Sequence, residues 1–279
     1  MQSASGVSSS SAPIATEALK DAVREYSTTP FAKKYPFHDH EFAPHLFQLE
    51  LALKYLPSTN PGVVLDIGTG RSVVLRAFQK LGFQCITLDY PVTGGSEALH
   101  TAAAAGIDAR ECDCSAQIFP VESGSVDCVF LADVIEHLPH SPRFLLEEIH
   151  RVLRPDGICV TSTPNAVRLT VRLKMLVGAS NWPRVSDYYE ATYHGGHHHE
   201  YTEKELRYVH DRAGFRVVDL QYLELNALHA YVDGFDSLQA GLRPPSDGSS
   251  RFSLARKMIF GVTQAFPKLR GQMYLVARK

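Results

Sequence analysis

The sequence has no charge excess of either sign: 28 Lys and Arg stand against 30 Asp and Glu, a formal net charge of −2. Without a basic field, nothing global recruits nucleic acid or an anionic membrane. No apolar run approaches the about 18 residues of a membrane span. Cysteines are few and odd in number, Cys85, Cys112, Cys114, Cys128 and Cys159. Most sit in apolar, strand-like runs, so they read as reduced core residues of a cytoplasmic protein and not as a disulfide framework. Cys112 and Cys114 make a lone C-x-C without a second pair and are taken as structural. The amino end, MQSASGVSSSSAP, lacks a basic n-region and an apolar h-region, which argues against a signal peptide. Its serines predict a disordered tail over 1–15. There is no internal repeat.

What is present is an ordinary globular composition, 44% hydrophobic over 279 residues. A helical segment is expected over 16–58, because Phe42–Leu56 carries apolar residues near helical spacing and Pro57 stops it. Beyond it the pattern alternates. Apolar runs at Val63–Ile67, Gln84–Leu88, Val126–Leu131 and Ile158–Thr161 are separated by helix-like stretches at Ser72–Leu81, Gly95–Ala105 and Pro142–Leu153. Strand and helix in alternation predict an α/β fold with a mostly parallel sheet and helices on both faces. Pro155-Asp156-Gly157 reads as a turn. Thr202 with Glu205 predicts a capping box opening a helix to Ala213. A strand follows from Gly214 to Leu220, and Met273–Arg278 closes the chain. The main domain is therefore 59–279, with irregular insertions at 166–201 and 225–271 placed to form a lid over the crevice at the strand ends.

The stretch VVLDIGTGRS (63–72) leads from a strand into a glycine turn. A dinucleotide site would continue G-x-G-x-x-G, but its third position is Val73, and no P-loop lysine is present. Asp66, two residues before Gly68, repels an anion and attracts a cation. The ligand that suits the turn carries ribose, adenine and positive charge in place of phosphate, which describes S-adenosylmethionine. The second strand ends at Asp89, placed as a ribose-binding carboxylate is. The third ends in Glu111-Cys112-Asp113-Cys114, where Asp113 is poised for an adenine amino group.

Together VVLDIGTG, ITLDY, ECDCS, SVDCVFLADVIEHLPH, LLEEIHRVLRPDGICVTSTPN and HHHEYTEKELRYVHDRAGF resemble the class I S-adenosylmethionine-dependent methyltransferases, over roughly residues 60–224 and the final strand. The resemblance implies a Rossmann-like sheet of seven strands, the last antiparallel between the fifth and sixth. It also implies cofactor contacts at Asp66, Gly68, Thr69, Gly70, Asp89, Asp113 and Cys114. Ser72 departs from it, standing where many members have a third glycine, and a tighter cofactor fit is expected there.

Candidates for chemistry follow the fourth strand. Asp133, Glu136 and His137 fall at i, i+3 and i+4 and would share one helical face. His137 could act as a general base oriented by Glu136. Alternatively, the trio could hold a divalent metal with a ligand from His197–His199, or only fix the turn. His197 matches the histidine of the H-x-R-E-Y-T stretch in methyltransferases of polysaccharide and natural-product gene clusters, which it resembles; His199 stands where arginine is usual. Tyr188, Tyr189 and Tyr193 could line an acceptor pocket. The basic, apolar stretches Val167–Val177 and Arg251–Arg270 could rest on a membrane surface and reach a lipid-linked acceptor, or form a solvated face over a lid. The expected reaction is methyl transfer to a hydroxyl of a small molecule or sugar. N-methylation of an amine, and a cofactor-binding but inactive subunit, stay open. No nucleic-acid partner is expected.

Overall fold

The computed structural model describes residues 11–56, 62–90, 95–179, 189, 196–224 and 261–279. Its strands are β1 (Val63–Ile67), β2 (Gln84–Asp89), β3 (Asp108–Glu111), β4 (Val126–Ala132), β5 (Leu153–Pro164), β6 (Arg216–Leu223) and β7 (Gln272–Arg278). They form one sheet in the order β3-β2-β1-β4-β5-β7-β6. β7 runs antiparallel to both β5 and β6, and the other pairings are parallel. The expected Rossmann-like sheet is therefore present, with its reversed last strand. The helices are α1 (Ser11–Ser27), α2 (Pro30–Lys34), α3 (Phe42–Tyr55), α4 (Val73–Lys80), α5 (Gly95–Ala104), α6 (Arg143–Val152), α7 (Leu169–Leu176) and α8 (Glu203–Arg212).

The pleat divides the strand side chains between two cores. Val64, Cys85, Cys128, Phe130, Ile158, Val160, Tyr274 and Val276 face α1, α3, α4 and α5. Leu65, Ile67, Leu88, Val129, Leu131, Cys159, Met273 and Leu275 face α6 and α8. Because central parallel strands are covered on both sides, they read as continuous apolar runs and lack alternation. Cys85, Cys128 and Cys159 are buried thiols within these layers. Burial pushes Cys85 and Cys159 up to about 12, so neither is a ready nucleophile.

Some elements differ from expectation. The first helix begins at Ser11, inside the stretch read as a tail. Its Ala15, Ala18, Leu19, Ala22 and Tyr26 are buried, a small-residue face that serine-rich composition conceals. Pro155-Asp156-Gly157 is a bulge within β5: Val126 pairs with Leu153, then Cys128 with Ile158. Asp156 takes a positive φ of 64° there. The insertion 166–201 contains α7, whose last residue, Leu176, and the Val177 that follows it are each 81% exposed. Tyr189 is equally exposed, while Tyr188, Tyr193 and most of 225–271 lie outside the described residues. The capping box of Thr202 and Glu205 forms as its spacing predicts. Among the described residues no helix is long and apolar enough to cross a membrane.

Candidate functional site

At the carboxyl ends of β1 and β4 lies a cavity of about 550 Å³, within the ordinary range for a small-molecule site. Its floor is the glycine turn. Gly68 has φ 84° and Gly70 φ 44°, a region that residues with a Cβ enter at a cost. At Gly68 space is limiting too, since an added Cβ would lie 2.7 Å from Val134 Cγ2. Gly68 N–H donates to Leu88 O at 2.9 Å, and Thr69 N–H donates to Asp89 Oδ2 at 2.9 Å. A hydroxyl pair, Thr69 with Thr87 at 2.8 Å, completes the lock between β1 and β2. The other Asp89 oxygen accepts from Tyr90 N–H at 2.8 Å. Burial nevertheless raises the Asp89 pKa, against the pull of those amides.

Asp66 lines the cavity and, among the described residues, makes no hydrogen bond or ion pair. Burial, and then the charge of Asp89, push it up to about 8. A carboxylate in this position is stabilised by an incoming cation and destabilised by an anion. Ser72 is 6% exposed and adopts φ 53°, so the residue in the place of a third glycine has a glycine-like backbone. Its hydroxyl donates to Thr69 O at 3.1 Å.

The opposite wall was not found in the sequence. α3 and the turn before it contribute Glu41, Pro44, His45 and Gln48, and β7 contributes Tyr274. Arg71, in the glycine turn, pairs with Glu41 at 2.6 Å and ties the two walls. His45 Nδ1 lies 2.6 Å from Glu41 O. The signal available was His45 and Gln48 at i and i+3 in the largely apolar first half of the helix, but only the sheet order shows what they face.

The expected shared face of Asp133, Glu136 and His137 does not form. Asp133 takes φ 53° and a 3-10 turn follows over Ile135–His137. The chain therefore parts the three side chains. Asp133 lines the cavity, accepting from Ser162 Oγ at 3.3 Å and from Gln272 Nε2. Glu136 and His137 instead meet His197. One ligand-type atom from each of the three lies within 4.8 Å of the others, a set able to hold a metal ion. His197 Nδ1 is 2.9 Å from Glu200, which Arg168 also holds at 2.6 Å. His137 Nδ1 is 3.2 Å from Gly196 O, and the two imidazoles pack edge to face at 4.8 Å. Glu136 is fully buried; Oε2 accepts from Thr163 Oγ1 at 3.1 Å, whereas Oε1 has no partner among the described residues. Burial, reinforced by Asp133, pushes it up to about 8.

On the far side of β2, Asp113 Oδ1 accepts from Ser115 N at 3.0 Å and Ser115 Oγ at 2.6 Å. That turn presents Cys114 beside it. Neither residue lines the cavity; they stand along the strand ends beyond Asp89.

A family model described as a methyltransferase domain matches residues 38–220. The match spans most of the chain, and the chain belongs to this methyltransferase family. Uncharacterized methyltransferases of Mycobacterium sp. strains KMS and MCS are 33% identical over 106 residues, which is 37% of this chain and 40% of theirs. The match thus spans well under half the length of these relatives. Among solved structures, a SAM dependent methyltransferase from Archaeoglobus fulgidus has a TM-score of 0.56 at 17% identity, covering 89% of this chain and 98% of that one. Another, from Mesorhizobium loti, has a TM-score of 0.54 at 16% identity, covering 86% and 98%. At such identity the likeness shows the shared fold.

Proposed function

We propose that the chain transfers a methyl group from S-adenosylmethionine to a hydroxyl oxygen of a small polyhydroxylated molecule, a sugar or lipid-linked glycan being the class that fits. The cofactor is supported by Asp66, an unpaired carboxylate on the cavity wall that a sulfonium or ammonium group would satisfy. Gly68, Thr69 and Gly70 would hold the amino-acid part by close backbone approach. Asp89 would take the ribose hydroxyls, and Asp113 and Cys114 the adenine. When bound, the cofactor supplies an electrophilic methyl group.

One observation carries the acceptor class: the fully buried, unpartnered Glu136 Oε1 beside His137 and His197. With its pKa near 8, Glu136 needs a partner that accepts when it is protonated and donates when it is ionised. A hydroxyl does both. Glu136, His137 and His197 would then contact the acceptor and set its position.

The test is a panel of sugars, phenols and amines assayed with labelled methyl donor. Hydroxylated acceptors should turn over, and, assayed above pH 8 where Glu136 is ionised, Glu136→Gln should raise the acceptor KM about tenfold, with cofactor affinity unchanged, because a hydrogen bond to the ionised group is lost. Turnover of amines alone would overturn the reading, and none with any acceptor would favour an inactive cofactor-binding subunit. The same cluster favours a second reading, in which a divalent cation occupies it and binds the acceptor oxygen. Titration of EDTA-treated protein with Mg²⁺ or Co²⁺ decides this: the cation reading requires saturable binding that His197→Ala abolishes.

A further inference from the structure

We infer that His45, on the helix that walls the cavity opposite the glycine turn, is the general base that removes the acceptor's hydroxyl proton. The inference rests on the hydroxyl-acceptor reading above. His45 shares its cavity with Asp66, Gly68, Gly70 and Asp133, where the methyl donor's charged centre is placed by that reading. It is the sole imidazole on the described wall.

The tautomer follows from its hydrogen bond. A carbonyl oxygen only accepts, so the 2.6 Å contact with Glu41 O requires the proton on Nδ1. The neutral ring then carries its lone pair on Nε2, the form a base needs. Its orientation is fixed from outside. Glu41 is held by Arg71 at 2.6 Å and by His38 N–H at 2.7 Å, and Phe37 packs edge-on against the imidazole at 5.2 Å. A base oriented by a second group through its other nitrogen is the arrangement that proton-transfer sites use.

The protonation state also suits the role. Desolvation lowers the His45 pKa, keeping the ring neutral near pH 7. The charges that act on it are Glu41 beside it, Asp133 at the end of β4 and Arg71 in the glycine turn. Asp66 of β1 and Tyr274 of β7 line the same space. Glu41 and Asp133 favour the imidazolium once it forms; Arg71 opposes it. His137 is placed otherwise: it is absent from this wall and sits against Gly196 and His197. Roles therefore divide, with the Glu136 cluster holding the acceptor and His45 receiving its proton.

In the step, the hydroxyl proton passes to His45 Nε2 and the oxygen's electron pair forms the new O–C bond. The C–S bond breaks with its pair remaining on sulfur. The positive charge thus moves from sulfonium to imidazolium, and His45 returns its proton to solvent.

The first test needs no turnover. Long-range ¹H–¹⁵N correlation of the free protein, with His45 assigned by its loss in His45→Asn, should show a protonated Nδ1 and a bare Nε2. The asparagine amide can still donate to Glu41 O, which preserves the local fold, and His45→Gln provides a second variant. Both should bind S-adenosylmethionine within about twofold of wild type. Both should lose on the order of 10²–10⁴-fold in kcat, together with the acidic limb of the pH profile of kcat/KM for the acceptor, recorded at saturating S-adenosylmethionine so that the titration of Asp66 does not enter. A proton found on Nε2 would overturn the proposal, as would a fall in cofactor affinity matching the fall in kcat. An acidic limb that survives in His45→Asn but vanishes in His137→Ala would return the role to His137. If no hydroxylated acceptor turns over in wild type while the Nδ1–H tautomer is observed, the acceptor reading fails and not the placement of His45.

Discussion

Ser72 shows how a single backbone angle can replace a sequence signature. At φ 53° it holds the left-handed conformation that glycine would adopt without strain, which costs an L-residue about 1–2 kcal/mol. Its hydroxyl bond to Thr69 O and the lower chain entropy of serine offset part of that cost. Ser72→Gly should therefore change unfolding free energy by no more than about 1 kcal/mol in either direction. Ser72→Val, β-branched and without the hydroxyl, should destabilise by about 2 kcal/mol or more, read by urea denaturation. Asp66, Gly68 and Gly70, which line the cavity, and Asp89, bonded to the turn, could be placed at strand ends from sequence because that turn has strict backbone demands. His45 could not, since its partner is a main-chain carbonyl and its role depends on which elements face each other.

Among the elements, the central strands are joined by a buried carboxylate. Asp127 of β4 accepts from Val63 N–H at 2.6 Å and pairs with Arg154 of the β5 bulge at 2.7 Å. It also explains Gly62, where an added Cβ would fall 1.9 Å from Asp127 Oδ2. Asp127→Ala should cost about 2–3 kcal/mol, because a buried amide and a partly buried guanidinium lose their partner. A loss below 0.5 kcal/mol by denaturant titration would show that water replaces the carboxylate freely. The strands and α6 were legible because their apolar residues recur with the right period, whereas Pro155-Asp156-Gly157, read as a turn before the strand, is a bulge inside it. Asp133-Val134-Ile135-Glu136-His137 misled because i, i+3, i+4 spacing implies one face only if the segment is helical throughout. Asp133, an aspartate tolerated at positive φ, turns the chain before the 3-10 turn begins. Its carboxylate consequently serves the cavity, and His197, 60 residues beyond His137, takes the place beside Glu136.

At the scale of the whole molecule, the sheet order brings β1, β4 and β7 together under α3, so one cavity collects three acids, two glycines and an imidazole from distant segments. Its electrostatics set a pH dependence. In the free protein Asp66 has a pKa raised to about 8, so its folded state binds a proton that the unfolded chain gives up near 3.8. This contribution to stability is fully present below about pH 4 and is lost as pH rises through 8. Cation binding has the opposite preference, because it requires the carboxylate. Affinity for S-adenosylmethionine should therefore rise by up to about tenfold per pH unit between pH 6 and 8 and level off above. The most direct test of cofactor binding through Asp66 is calorimetric titration of cofactor-stripped protein with S-adenosylmethionine across this range, with EDTA present and NAD as control. Saturable binding of S-adenosylmethionine alone is expected, tightening with pH, with the slope abolished in Asp66→Asn. Binding of NAD in its place, or no saturable binding of S-adenosylmethionine at any pH, would contradict it.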